Sequence, residues 1–125
     1  MEILLVEDNP GDAMAIRLAV AEASATANLH IARDGEQALA LSESADFHPS
    51  LIILDLSIPR ISGSVLLERW QGTNIPVVVF SSSENDAEKA HVLALGAREF
   101  VHKPTDLDLF THAVCGIVER WSDNT

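Results

Sequence analysis

The segment "LIILDLSIPRISG", Leu51 to Gly63, decides how this chain is read. Four aliphatic residues run into a single acid, Asp55, and then into a proline and a glycine. An apolar run with no polar alternation is the pattern of a strand covered on both faces, as in a parallel sheet. Desolvating a lone carboxylate is expensive. Asp55 is therefore expected just beyond the carboxyl end of the strand, in the crevice where open α/β sheets keep their ligands. Its role depends on what else reaches that edge.

Outward from this segment, short apolar runs alternate with helical patterns along the whole chain. Ile3 to Val6, Leu29 to Ala32, Leu51 to Leu54, Val77 to Phe80 and Glu99 to Val101 read as five strands. Helical spacing joins Ala13, Ile16, Val20 and Ala23; then Ala38, Leu41 and Ala45; then Gly63, Leu66, Leu67 and Trp70. A fourth stripe is Ala87, Ala90, Ala94 and Leu95, and a fifth Leu107, Phe110, Val114, Ile117 and Trp121. Pro10 opens the first helix, Pro49 and Pro76 precede the third and fourth strands, and Gly96 sits where a helix C-terminus needs glycine. Strict βα alternation with short connections implies parallel strands, right-handed crossovers and helices on both faces. The expected fold is α/β, a doubly wound five-stranded sheet in the flavodoxin-like order 2-1-3-4-5.

The 125 residues, 47% of them hydrophobic, suit one compact domain spanning residues 1–125. No apolar stretch approaches the roughly 20 residues of a membrane span, and the acidic opening MEILLVED lacks the basic region of a secretory signal. A soluble, cytoplasmic protein without a membrane partner is expected. Cys115 is the only cysteine, which excludes an internal disulfide and reads as a small buried hydrophobe. Nineteen acids against eight bases give a formal charge of −11, which repels a phosphate backbone and argues against nucleic acid as a partner.

All strands of such a sheet point the same way, so the residues that follow them gather on one edge. After the first strand come Glu7 and Asp8; after the third, Asp55; after the fourth, Ser81, Ser82 and Ser83; after the fifth, Lys103 and Pro104. Neighbouring carboxylates repel and call for a cation, and ligands that are all oxygen suit a hard one such as Mg2+. Lys103 can answer the charge on Asp55 as a point-charge partner. A neutralised pocket would let Asp55 act as a nucleophile toward a phosphoryl group, because that chemistry needs mostly positioning and charge compensation.

These residues carry a resemblance. "LLVEDNPGD", "DGEQALAL", "PSLIILDLSIP", "IPVVVFSSS" and "GAREFVHKPTDLDLF" occur in the order and spacing of the receiver domain of two-component response regulators, the CheY-like superfamily. The likeness covers nearly the whole chain. It implies that Asp55 is the phosphoacceptor, that Asp8 is the principal magnesium carboxylate, and that Glu7 reaches the ion through water. It further implies that Ser57 lends its backbone carbonyl to the metal, that Ser81 and Lys103 contact the phosphoryl group, and that Phe100 is the aromatic switch. The front motif and the "KPTDLDLF" leading to a final "ERW" look most like the single-domain regulators paired with bacterial phytochromes and hybrid kinases. The resemblance thus implies a sensor histidine kinase as phosphodonor and no output domain. It also implies homodimerisation through the fourth helix, fifth strand and fifth helix, and a protein target downstream.

Several positions depart from the family pattern. Ser62 replaces a common acid in the loop after the acceptor and is expected to cap the third helix. Ser81 stands for the frequent threonine and keeps the hydroxyl. Phe100 replaces the frequent tyrosine, which implies a switch by packing alone. Ser57 and Ser83 occupy positions that tune phosphate lifetime in the family. Ser82 and Ser83 read as loop and cap residues, His102 as a lining residue, and Trp121 as either a cover for the core or a dimer contact. His30, His48, His91 and His112 have no ligand spacing.

Two other classes remain as alternatives. A pseudo-receiver of the same fold, a binding module never phosphorylated, is disfavoured by the intact acid, hydroxyl and lysine set. An aspartate phosphatase would place its nucleophile in an Asp-x-Asp arrangement after the first strand, and a flavin protein would need a phosphate loop where "EDNPGD" repels phosphate.

Overall fold

The computed structural model describes residues 1–122. Its elements are β1 (Glu2–Val6), α1 (Pro10–Ala23), β2 (Asn28–Ala32), α2 (Gly35–Ser42), β3 (Leu51–Leu54), α3 (Gly63–Arg69), β4 (Val77–Ser81), α4 (Asp86–Ala94), β5 (Glu99–His102) and α5 (Leu107–Trp121). The five strands form one parallel sheet in the order β2-β1-β3-β4-β5, the flavodoxin-like order.

The unbroken apolar run of β3 is explained by the two layers that cover it. Leu51 and Ile53 join Ile3, Leu5, Val78 and Phe80 beneath α1 and α5, where Ile16, Val20, Val114 and Ile117 close the layer. Ile52 and Leu54 join Leu4, Val6, Val77 and Val79 on the other face, under Ala38, Leu66, Leu67, Trp70 and Val92. Each fully buried aliphatic side chain is worth about 1.5–3 kcal/mol, so a polar residue anywhere in this run would be costly.

Each helix starts on a side-chain acceptor. Asn9, Asp34, Ser62, Asn85 and Asp106 accept the backbone N–H three residues on, at 3.0, 2.8, 3.3, 3.0 and 3.0 Å. Ser62 thus caps α3 as expected, in place of the acid. The cap of α4 is Asn85; Ser83 instead accepts from the N–H of Asn85 at 3.2 Å in the turn before it. Gly96 follows α4 with φ +112, the left-handed conformation that glycine adopts freely.

The helical stripes need three corrections. Ala87, Ala90 and Ala94 of α4 are exposed, and the helix meets the sheet through Val92 with Leu95 beside it. The branched valine buries more apolar area than an alanine, so the helix rotates to seat it, and the alanines turn to solvent. Ala45 lies beyond the end of α2 and is exposed. Leu107, 67% exposed, is the first residue of α5, where the helix still leans away from the sheet. Cys115 is half-buried rather than buried; its thiol donates to the Ala19 carbonyl at 3.4 Å, and burial, with Glu22 and Glu119 nearby, raises its pKa.

Candidate functional site

Backbone hydrogen bonds between adjacent strand ends fix the edge on which the polar residues gather. The Glu7 N–H donates to Ala32 O, Asp55 N–H to Val6 O, and Lys103 N–H to Ser81 O, at 2.9, 2.9 and 2.8 Å. The carboxyl ends of β1, β3, β4 and β5 are thereby aligned, and their first polar side chains share one cleft. Glu7, Asp55, Ser81 and Lys103 are all buried there, the only buried polar or charged residues among those described.

The Lys103 ammonium is the hub. Nζ donates to Glu7 Oε1 at 2.7 Å, to Asp55 Oδ2 at 2.9 Å and to Asp12 Oδ2 at 3.0 Å. Beneath it lies the Phe80 ring, with its centroid 5.9 Å away, braced edge-on by Phe110. This apolar floor strengthens the ion pairs by keeping water from one side of them. The other acceptor oxygen, Asp55 Oδ1, takes the N–H of Ser57 at 3.1 Å, so both carboxylate oxygens are held.

Three carboxylates around one ammonium leave a surplus of negative charge, and the titration behaviour reflects it. Burial pushes Glu7 up to about 7, and its hydrogen bond to Asp55 acts in the same direction against the pull of Lys103. Burial alone would also raise Asp55, but hydrogen bonds from Glu7, the Ser57 N–H and Lys103 hold it below the usual range. Glu7 and Asp55 therefore behave as a pair in which Glu7 keeps the proton and Asp55 stays ionised. Burial would lower Lys103, yet its bonds to Glu7, Asp55 and Asp12 hold the ammonium well above the ordinary lysine range.

The remaining expected residues fall around this hub. Asp8 is exposed and lines a surface cavity with Glu7, Met14, Arg17 and Arg33. Ser57 is exposed, with its N–H turned to Asp55. The Ser81 hydroxyl is buried at the end of β4 and accepts the Ser83 N–H at 3.1 Å. Phe100 is half-buried and lines a 250 Å³ cavity with Ser83, Glu84, Lys89 and His102. His102 is exposed, 3.5 Å from Glu84, and pairs in register with Ser81 on β4. Trp121 is half-buried and donates to Glu99 at 2.8 Å.

Asp12 was not singled out from the sequence. In "EDNPGD" it is the third residue of a helix opened by Asn9 and Pro10, where an acid is accounted for by the favourable field of the helix N-terminus. Its position in the first turn of α1, four residues after Asp8 in sequence, was the available signal.

Among the described residues no three His, Cys, Asp or Glu side chains are arranged so that they could hold a metal ion by themselves, and the Lys103 ammonium is bonded to oxygens of Glu7, Asp12 and Asp55. The donor chemistry nevertheless fits a hard cation that keeps several waters and needs only one or two carboxylates. The acidic groups of the cleft offer oxygen, and Asp8 adds an exposed carboxylate next to Glu7.

Known proteins place this arrangement. The family described as "Response regulator receiver domain" matches residues 3–115. The transcriptional activator protein IrlR of Burkholderia pseudomallei is 33% identical over 121 residues, 96% of this chain and 51% of that protein. The chain thus spans about half the length of this curated relative. The crystal structure of the phosphorylated cyanobacterial phytochrome response regulator RcpA is similar at 32% identity and TM-score 0.89, covering 99% of this chain and 95% of that one. The Mn(2+)-bound form of response regulator Rcp1 is similar at 29% identity and TM-score 0.87, covering 99% and 96%.

Proposed function

This chain belongs to the response regulator receiver domain family, and from that premise we propose that Asp55 accepts a phosphoryl group from a histidine kinase phosphohistidine. The observation that carries this reading is the placement of Asp55: buried at the strand edge, with Oδ1 on the Ser57 N–H and Oδ2 on Lys103. A carboxylate that is ionised at neutral pH can act as a nucleophile, and here its two oxygens are held in fixed positions. One Asp55 oxygen attacks phosphorus, a P–O bond forms as the bond from phosphorus to the donor imidazole nitrogen breaks, and that nitrogen keeps the electron pair. Lys103 compensates the charge that builds up on the equatorial phosphoryl oxygens. The Glu7 carboxyl, titrating about neutrality, limits the repulsion that the incoming anion meets.

Mg2+ is the expected metal, with Glu7, Asp8, Asp55 and the Ser57 carbonyl as its ligands; when bound it supplies charge neutralisation for the transferring group. That Rcp1 has been obtained in a Mn(2+)-bound form supports a divalent cation as a ligand of this chain. Signalling follows from a local charge event. Nearly two added charges draw the Ser81 hydroxyl off the Ser83 N–H, and Phe100 repacks into the space behind it. The surface so altered is α4, β5 and α5, where the outward alanines of α4 offer a flat face to a second copy or a target protein. The likeness to RcpA, a phosphorylated cyanobacterial phytochrome response regulator, supports a phytochrome-type kinase as donor; a hybrid kinase is the other donor we consider, and the output we propose is a protein contact, in a domain that catalyses only its own phosphorylation and dephosphorylation.

Intact mass after incubation with acetyl phosphate and Mg2+ tests the reading. The protein should gain one phosphoryl group, roughly 80 Da, and Asp55→Asn should not. No adduct on the unsubstituted protein, under conditions that label a control receiver, would favour a pseudo-receiver that uses the acidic cleft for contacts alone.

A further inference from the structure

An ammonium has three N–H donors, and here Lys103 has committed all three. Glu7, Asp55 and Asp12 take one each, at 2.7, 2.9 and 3.0 Å. A phosphoryl oxygen on Asp55 can therefore receive an N–H from Lys103 only if one of these carboxylates lets go. The three differ sharply in what release would entail. The Glu7 and Asp55 side chains are 1% and 8% exposed, and a carboxyl oxygen freed there would be left with neither partner nor water. The Asp12 side chain is 37% exposed, so its freed carboxylate is hydrated at once. Its backbone is also held independently, by the Asn9 cap on its own N–H, so the side chain can swing away without unwinding α1. A cavity of 400 Å³ lined by Asp12, Ala15, Ser82, Lys103 and Leu107 opens beside it and gives that motion room.

We infer that Asp12 is a positioning residue for the phosphoacceptor site, the displaceable third partner of Lys103 whose donor passes to the phosphoryl group. The inference rests on Asp55 being the acceptor. Asp12 then holds the ammonium in place while Asp55 is free, competes with the phosphoryl group once it arrives, and sets how tightly the activated state is held. The competing contact lies at the mouth of the cleft, where salt reaches it, whereas the Glu7 and Asp55 contacts are shielded.

The test uses beryllium fluoride, a tetrahedral analogue of the phosphoryl group, titrated calorimetrically at saturating Mg2+ into the unsubstituted protein, Asp12→Ala and Asp12→Glu. Without its competitor, Asp12→Ala should bind about three- to fivefold more tightly at low salt, the size expected for a half-exposed ion pair. Asp12→Glu, which can still reach the ammonium, should bind as the unsubstituted protein does. The gap should close between about 0.05 and about 0.5 M salt as the Asp12 contact is screened, a dependence that a merely structural role for Asp12 would not produce. Thermal melts verify folding, and Asp12→Asn serves if the alanine variant does not fold. Equal or weaker binding by Asp12→Ala, or a gap that salt leaves unchanged, would overturn the inference alone. Absence of binding by the unsubstituted protein would overturn the acceptor reading, and this inference with it.

Discussion

Replacing Glu7 by glutamine should make the protein more stable at pH 8 and leave it nearly unchanged at pH 5. Glu7 is 1% exposed, and its carboxyl is raised from 4.5 to about 7 by burial and by the neighbouring Asp55. At about 1.4 kcal/mol for each tenfold change in proton affinity, that difference corresponds to about 3 kcal/mol. The sign follows from proton counts. Between pH 4.5 and 7 the folded state holds a proton on Glu7 that the unfolded state has lost, so this group's destabilising effect fades as pH falls and is complete above pH 7. Glutamine reproduces the protonated form. Its carbonyl can accept from Lys103, as Glu7 Oε1 does at 2.7 Å, while the exposed Asn9 N–H that Glu7 Oε2 accepts at 3.2 Å turns to water.

The gain at pH 8 should therefore approach about 3 kcal/mol, on the order of 10 °C in melting temperature, and shrink below about 1 kcal/mol at pH 5. Urea unfolding at the two pH values, with a chelator present so that cation binding does not enter, measures it. No gain at pH 8, or the same gain at both, would refute the claim that the cleft stores its cost on Glu7. The same variant should bind Mg2+ more weakly, because the charge that destabilises the fold is the charge offered to the cation.

Gly35→Ala should cost about 1–3 kcal/mol in urea unfolding, because its Cβ would collide with Ile61 Cβ and the Ile61 carbonyl oxygen, in the loop that follows the acceptor. The orientation of α4 is checked by a pair of variants in the same assay. Val92→Ala should cost about 2 kcal/mol, whereas Ala87→Ser should stay within about 0.5 kcal/mol. Equal effects would mean that the helix packs on its alanine face.

Strand and helix order, the direction of the sheet and the polar residues that follow its strands were all legible before any coordinates. Those follow from local patterns: the aliphatic run before Asp55, prolines at the element starts, and the rule that parallel strands deliver their carboxyl ends to one side. Helix faces were legible where large residues set them, as Ile16 and Val20 do in α1 and Val114 and Ile117 do in α5. They were not legible in α4, where alanines repeat at helical spacing and a single valine decides the rotation. How the charges are shared emerges from the packed molecule alone. That Lys103 spends its three donors on Glu7, Asp55 and Asp12, that Glu7 rather than Asp55 keeps a proton, and that Asp8 stays in water while Asp12 reaches the ammonium all depend on distances of a few ångströms across residues some 50 to 90 apart in sequence. Periodicity places an acid at an edge. Which oxygen meets which proton is set by packing, because Coulomb energy and desolvation change steeply over those distances.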